Sequence, residues 1–207
     1  MFHKLKTFYW PKNSKLKNDH LLFTGMAVGA VLGIVASLVL SVEAITLAKN
    51  PDAVLACSVN IVLNCATVAK HASSELLGFP NSFVGMLTLP VVLTIAVAGL
   101  AGVSFPRWFM RAAQIGALAG VVFAGWMFYE SYVVIGALCP WCLLTDFSML
   151  VIFFMIFRYN ALHGSLCIRS KTIEKFVAQG YDLMALVAVV VLLAALIIVK
   201  YGDGLFT

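Results

Sequence analysis

Charge is what this sequence lacks. Only 11% of its 207 residues are Asp, Glu, Lys or Arg, whereas 62% are hydrophobic, and the mean hydropathy is +1.01. A soluble domain carries about 25% charged residues, so a water-soluble enzyme and a nucleic-acid-binding domain are both excluded. The composition is that of an integral membrane protein.

Polar segments are also scarce, and no stretch is left over for a separate soluble domain. A membrane-spanning helix needs roughly 20 apolar residues, and five runs are long enough: 21–47, 83–104, 112–137, 140–158 and 180–199. We therefore predict an all-α integral membrane protein with five transmembrane helices. A basic tail, 1–20, precedes the first helix, and the absence of a small-residue cleavage site marks that helix as an anchor.

Positive charge is distributed unevenly between the loops of this arrangement. Eleven of the 14 Lys and Arg fall on the side of the N-terminus, and only Lys49, Lys70 and Lys200 fall on the other. Cytoplasmic loops carry the excess of Lys and Arg. We therefore expect a multi-pass protein of the plasma (inner) membrane, with a cytoplasmic N-terminus and an outer C-terminus.

Cysteine is rare, and its placement agrees with this topology. Four of the five cysteines fall outside the cytoplasm: Cys57, Cys65, Cys139 and Cys142. That side is the oxidising one, where disulfides persist. Cys167 is expected inside the cytoplasm as a reduced bystander.

The segment Cys139-Pro140-Trp141-Cys142 opens the fourth apolar run. Two cysteines separated by two residues are typical of redox dithiols. Proline favours the first turn of a helix, which makes Cys139 the predicted N-cap. Both sulfurs would then lie near the positive end of the helix dipole, which stabilises the reactive thiolate. Asp146 lies one turn deeper on the same face as Cys142.

The longest polar loop, 48–82, holds Cys57 and Cys65 with seven residues between them. Apolar residues then recur at helical spacing from Val68 to Leu77. This pattern predicts one short amphipathic helix, ending at Gly78, that lies flat over the bundle.

Two cysteine pairs on one face indicate a relay, because thiol–disulfide exchange moves electrons through a mixed disulfide. A pair at the head of a membrane-embedded helix suggests a lipid-soluble acceptor such as a quinone. A zinc site and two purely structural disulfides remain alternatives, although the spacing of Cys57 and Cys65 suits zinc poorly.

Taken in order, these motifs resemble the vitamin K epoxide reductase family, in particular its bacterial branch. The resemblance is carried by Cys57-Ser58-Val59-Asn60 with Cys65, by Gly78-Phe79-Pro80-Asn81-Ser82-Phe83-Val84-Gly85 and by Cys139-Pro140-Trp141-Cys142. It implies a four-helix bundle, 21–160, around a quinone (menaquinone or ubiquinone), with the outer loop as its cover. The segment 161–207 then adds an inner loop, the fifth helix and a short outer tail.

The resemblance also implies a role for each site residue. Cys57 would meet a thioredoxin-fold partner outside the cytoplasm, and Cys65 would exchange with Cys139. Cys142 would face the quinone, and Asn81 would donate a hydrogen bond to a ketone oxygen. Quinone contacts are expected from Asn81, Phe83, Trp141 and Asp146. Some bacterial relatives carry a fused thioredoxin-like domain after the fifth span, and we expect a separate protein to take that place here.

Two positions depart from the family pattern. His71 stands where many members have a serine, and Asp146 stands where a tyrosine can contact the quinone. Since ionising a buried carboxyl is costly, our hypothesis is that protonated Asp146 replaces the phenol as a donor. Its alternative is pairing with a neighbouring helix or hydration from outside, and His71 is interpreted as a solvated loop residue rather than a proton relay.

The predicted function is that of a membrane thiol oxidoreductase. It would oxidise the thioredoxin-fold partner and pass electrons through both cysteine pairs to a quinone, supporting disulfide formation. Reduction of a quinone epoxide is the alternative activity, and a metal-binding or structural membrane protein is the third.

Overall fold

The computed structural model describes residues 14–55, 57–58, 60–166 and 171–205. Five of its helices are long and apolar enough to cross a membrane, which confirms the predicted all-α integral membrane fold. They are α1 (Ser14–Lys49), α3 (Ser82–Leu100), α4 (Arg107–Tyr129), α5 (Pro140–Leu162) and α7 (Tyr181–Leu205). The shorter elements are α2 (Cys65–Ala69), a 3-10 helix (Ala72–Glu75), a π-helix (Glu130–Ile135) that continues α4, and α6 (Lys171–Ala178).

The spanning helices do not end where the apolar runs end. For example, α1 begins at Ser14, inside the predicted basic tail, and α5 continues to Leu162, beyond the run 140–158. Hydropathy marks the part of a helix that lies in hydrocarbon, whereas backbone hydrogen bonding continues into the polar interface. The prediction therefore located the helices correctly and their termini only approximately.

The predicted single amphipathic helix over the bundle is wrong. The chain instead forms α2 and the 3-10 helix, with His71 in an extended conformation between them (φ −75°, ψ 143°). The Nδ1 atom of His71 accepts a hydrogen bond from the backbone N–H of Ser73 at 3.3 Å and so caps the 3-10 helix. A side chain that caps a new helix interrupts the preceding one, which hydrophobic spacing cannot reveal.

The predicted inner loop contains a helix that the sequence analysis did not anticipate. α6 is amphipathic and packs against both α5 and α7. Cys167, predicted to be a reduced bystander, lies outside the described residues.

The core forms where α1 packs against α3 and α5. A stripe of glycines on α1 allows this close approach. An added Cβ on Gly29 would lie 3.1 Å from the Ile152 side chain, and one on Gly33 would lie 2.8 Å from that of Leu89. Small residues spaced four apart are typical of helix interfaces in lipid.

Helix α7 is attached to the bundle at both of its ends. At its start, Nη1 of Arg158 donates to Oδ1 of Asp182 at 2.5 Å, and the Asp182 side chain is fully buried. Near its other end, the hydroxyl of Tyr201 donates to the carbonyl oxygen of Tyr132 at 2.9 Å, and the Lys200 ammonium donates to the same oxygen. Since Tyr132 lies in the π-helix, α7 supports the segment that leads to Cys139.

Replacing Asp182 with Ala should destabilise the protein, because Arg158 would remain largely buried without its partner. We expect a loss of about 3–5 kcal/mol in the free energy of unfolding in detergent. The double variant Arg158→Met/Asp182→Ala removes both charges and should recover much of that loss. A single variant as stable as the wild type would contradict a stabilising role for the pair.

Candidate functional site

A short backbone pairing brings the two cysteine segments together. Leu63 and Leu138 form an isolated parallel β-bridge, and the N–H of Asn64 donates to the carbonyl of Leu138 at 3.0 Å. Cys65 directly follows Asn64, and Cys139 directly follows Leu138. Both are buried, with exposed fractions of 1% and 2%, and they lie in the same apolar cluster.

Asparagine side chains give the loop the shape that this pairing needs. The Oδ1 atom of Asn60 accepts hydrogen bonds from the backbone N–H groups of Val62 (3.0 Å) and Leu63 (2.7 Å). The Oδ1 atom of Asn64 accepts from the N–H of Thr67 at 3.0 Å and caps α2. Such side-chain bonds to the backbone stabilise turns and helix starts. As a result, α2 begins at Cys65, directly after the bridge.

The four cysteines lie at one end of the bundle, which we call the cysteine end. Cys57 and Cys65 are joined by a disulfide with a Cα–Cα distance of 5.7 Å, whereas Cys139 and Cys142 are free thiols. The sequence left this pairing open. One oxidised pair and one reduced pair therefore lie side by side.

Cys139 is the N-cap of α5, as predicted, and Pro140 is the first helical residue. Its Sγ atom accepts a hydrogen bond from the N–H of Cys142 at 3.4 Å. The pKa of the Cys139 thiol is lowered from its ordinary value, chiefly because the Cys142 side chain hydrogen-bonds to its sulfur; the N–H groups of Cys142 and Trp141 add to this effect. Burial and the charge of Glu43 oppose the shift without reversing it. Because its pKa is lowered, Cys139 is a better leaving group than an ordinary cysteine thiol, and a larger fraction of it is the nucleophilic thiolate.

A cavity of about 620 Å³ lies beneath the outer loop, between α1, α3, α4 and α5. Its volume is in the usual range for small-molecule sites. Most of its wall is apolar, but five predicted site residues contribute to it: Cys65, Asn81, Cys139, Cys142 and Asp146. The free thiols and the loop disulfide thus border one chamber that could hold a lipid-soluble ring.

Asn81 holds the cover of this cavity in place. Its Nδ2 donates to the carbonyl of Ser73 at 2.7 Å, and its Oδ1 accepts from the N–H of Leu76 at 3.2 Å. The other contact of Nδ2 is with the sulfur of Met127 at 3.4 Å. Sulfur is a weak acceptor, so the second N–H of this amide is weakly satisfied while the first N–H and Oδ1 hold the cover. The predicted hydrogen bond from Asn81 to a ketone oxygen stays a prediction.

Phe83 and Trp141 are not among the described residues that line the cavity. Phe83 stacks on Phe79 with a ring-centroid distance of 6.3 Å, and Trp141 packs against the apolar cluster that contains Cys57 and Cys65. Their contacts with a quinone therefore stay predictions. Cys57 does not line the cavity either; it lies on the loop side of the disulfide.

Glu43 belongs to this site, although the sequence motifs did not predict it. Its Oε1 lies 3.0 Å from Sγ of Cys57. A carboxyl group in an apolar helix is costly and commonly marks function, so a signal was present in the sequence. The contact itself joins residues 14 positions apart, and no local pattern predicts it.

Dithiol chemistry beside an apolar chamber, among helices that cross a membrane, is characteristic of membrane-embedded redox proteins. A family model described as the vitamin K epoxide reductase family matches residues 25–157. The protein therefore belongs to the vitamin K epoxide reductase family and is a membrane oxidoreductase, as its motifs predicted. Comparisons with curated proteins and with solved structures gave no significant match.

Replacing Cys142 with Ala should raise the pKa of Cys139 toward that of an ordinary thiol, because the largest stabilising contact of its thiolate is lost. The rate at which iodoacetamide alkylates Cys139, followed by mass spectrometry across pH, reports this shift. The variant should need a more alkaline pH for half-maximal rate than the reduced wild type. Ser148→Ala, deeper in α5, is the control and should leave the profile unchanged; equal profiles for Cys142→Ala and the wild type would contradict the assignment.

Proposed function

We propose that the protein oxidises dithiols of a thioredoxin-fold partner outside the cytoplasm and passes the electrons to a membrane quinone. The observation that carries this proposal is the bridge of Leu63 with Leu138, which sets an oxidised loop pair beside a reduced pair at the cavity. This arrangement fits electron transfer from the loop pair to the α5 pair.

The first half of the cycle takes place at the loop. A thiolate of the partner attacks Cys57, the Cys57–Cys65 bond breaks, and Cys65 leaves as a thiolate. The second thiol of the partner then attacks its own sulfur in this mixed disulfide and releases Cys57. The partner has lost two electrons and two protons, and the loop holds a dithiol. Both residues are buried, and Cys57 is the more exposed of the two, at 8% against 1% for Cys65.

The second half moves the electrons inward. With Cys139 and Cys142 joined as a disulfide, the Cys65 thiolate attacks Cys139 and releases Cys142. Cys57 then attacks Cys65, the loop disulfide forms again, and Cys139 leaves as the thiolate that its helix N-terminus stabilises. Each exchange forms one sulfur–sulfur bond and breaks one, so the electron pair arrives at Cys139 and Cys142.

The residues around the cavity fit a quinone as the final acceptor. Its apolar walls suit a lipid-soluble ring, and Asn81 and Asp146 supply polar groups from two sides. Menaquinone or ubiquinone would take up two electrons and two protons from the dithiol of Cys139 and Cys142. The amide of Asn81 orients a ketone oxygen, and the neutral carboxyl of Asp146 donates to the ring from the side of Cys142.

A Cys65→Ser variant tests the route through the loop. The variant cannot form the loop disulfide, but its Cys57 thiolate can attack the disulfide of the oxidised partner, which reverses the first half of the cycle and releases one partner thiol. Without Cys65 this mixed disulfide cannot be resolved from the side of the loop, so a covalent adduct of Cys57 with the oxidised partner should accumulate. Non-reducing electrophoresis followed by mass spectrometry identifies the other half. Cys57→Ser is the matched control and should trap nothing. Equal trapping in both variants would contradict entry at Cys57.

Replacing Asp146 with Leu tests the inner end of the route. Quinone reduction with dithiothreitol as electron donor should slow by about tenfold to a hundredfold, because a proton donor beside the ring is lost. Exchange between Cys65 and Cys139, trapped in a Cys142→Ser background, should continue. Asp146→Asn keeps an N–H donor and should retain more activity than Asp146→Leu.

Unchanged quinone kinetics in Asp146→Leu would remove this carboxyl from the site. The same assay separates the two candidate activities of the family. Reduction of a quinone supports the proposal, whereas turnover of a quinone epoxide alone would favour the epoxide reductase activity and overturn it.

A further inference from the structure

The side chain of Glu43 is directed at the loop disulfide from the cysteine end of α1. Its Oε1 lies 3.0 Å from Sγ of Cys57. Its other oxygen, Oε2, is buried and has no hydrogen-bond partner among the described residues. A buried carboxyl oxygen without a partner is costly, so the position of this group needs an explanation beyond stability.

The disulfide itself does not supply one. A disulfide sulfur carries no hydrogen, so Cys57 cannot donate to Glu43 in the oxidised state. A proton shared between these two atoms must then reside on the carboxyl. Once the disulfide is reduced, the same short path leads from the Cys57 thiol to the carboxylate. Transfer of a proton between Glu43 and Cys57 would therefore explain why the two atoms are in contact in both the oxidised and the reduced state of the loop pair.

Cys57 has more need than Cys139 of a neighbouring group that gives and takes a proton. Cys139 begins a helix, and backbone N–H groups stabilise its thiolate. Cys57 lies in a turn before α2, and the polar contact recorded for its sulfur within the described residues is the one with Glu43. Among the described residues, the charge of Glu43 also acts on the thiols of Cys139 and Cys142.

We propose that Glu43 is the general acid–base catalyst of the Cys57 sulfur. This inference rests on the proposed function, since it assigns the proton that accompanies electrons through the loop pair. When Cys57 departs from a disulfide, the carboxyl of Glu43 gives its proton to the leaving thiolate. When Cys57 attacks, the carboxylate takes the thiol proton. Each transfer moves one proton between the two side chains and changes no electron count.

The loop pair can be tested in isolation. In a Cys139→Ser/Cys142→Ser background, the reduced loop dithiol is oxidised by oxidised glutathione, and remaining thiols are counted by maleimide labelling after an acid quench. In this step Cys57 attacks the glutathione disulfide and glutathione leaves as a thiolate. Glu43→Gln should slow loop oxidation by about tenfold near neutral pH. The difference should vanish at alkaline pH, where Cys57 ionises without help.

Two further variants complete the experiment. Glu43→Asp keeps a carboxyl and should restore part of the neutral-pH rate. Asp52→Asn removes an exposed carboxyl of the same loop region and should match the background at every pH. If Glu43→Gln oxidises at the background rate near neutral pH, or is slowed by one constant factor at every pH, Glu43 transfers no proton and the proposal is wrong.

This experiment contains no quinone and no protein partner. A normal pH profile for Glu43→Gln with active quinone reduction would overturn the role of Glu43 alone. Absence of quinone reduction by the wild type would overturn the proposed function instead, whatever the loop variants show.

Discussion

The backbone pairing of the outer loop with Leu138 is the interaction on which the site depends. The N–H of Leu138 donates to the carbonyl of Val62 at 2.7 Å, and its carbonyl accepts from Asn64 at 3.0 Å. Two such bonds contribute only a few kcal/mol in water, but here they lie beside an apolar cluster, where unpaired backbone groups cost more. They set the register in which Cys65 and Cys139 enter the same apolar cluster.

The membrane helices keep this pairing from moving as a whole. The loop is tied to α1 before it and to α3 after it, and α1 and α3 pack closely across the glycine stripe. Leu138 follows the π-helix and Gly136, whose φ of 73° reverses the chain without side-chain strain. Through Tyr132, the same segment is supported by α7. None of the described residues of α7 lines the cavity, but α7 thus contributes to the position of Cys139.

Most of the fold and about half of the site follow from the sequence, and the division has a physical cause. The spanning helices and the N-cap at Cys139 depend on neighbours within a turn or on composition, so they were predicted. The bridge to Leu138, the capping by His71 and the approach of Glu43 to Cys57 join distant or competing segments. Such contacts depend on the tertiary arrangement and leave no periodic signal. For the four cysteines, whose contacts are also long-range, the resemblance to the family supplied the expected roles.

The sulfurs of the loop pair and of the α5 pair have different polar neighbours, and the relay proposed above would use this difference. The Cys139 thiolate is stabilised chiefly by the hydrogen bond from the Cys142 side chain, and backbone N–H groups at the start of α5 add to this effect. Cys57 contacts a carboxyl, which can give or take a proton as the sulfur changes state. In the proposed relay, a sulfur that meets a partner protein reacts both as thiol and as thiolate, whereas one that exchanges only within the fold can remain charged. The proposed proton transfer at Cys57 and the helix N-terminus at Cys139 would therefore suit successive steps of that relay.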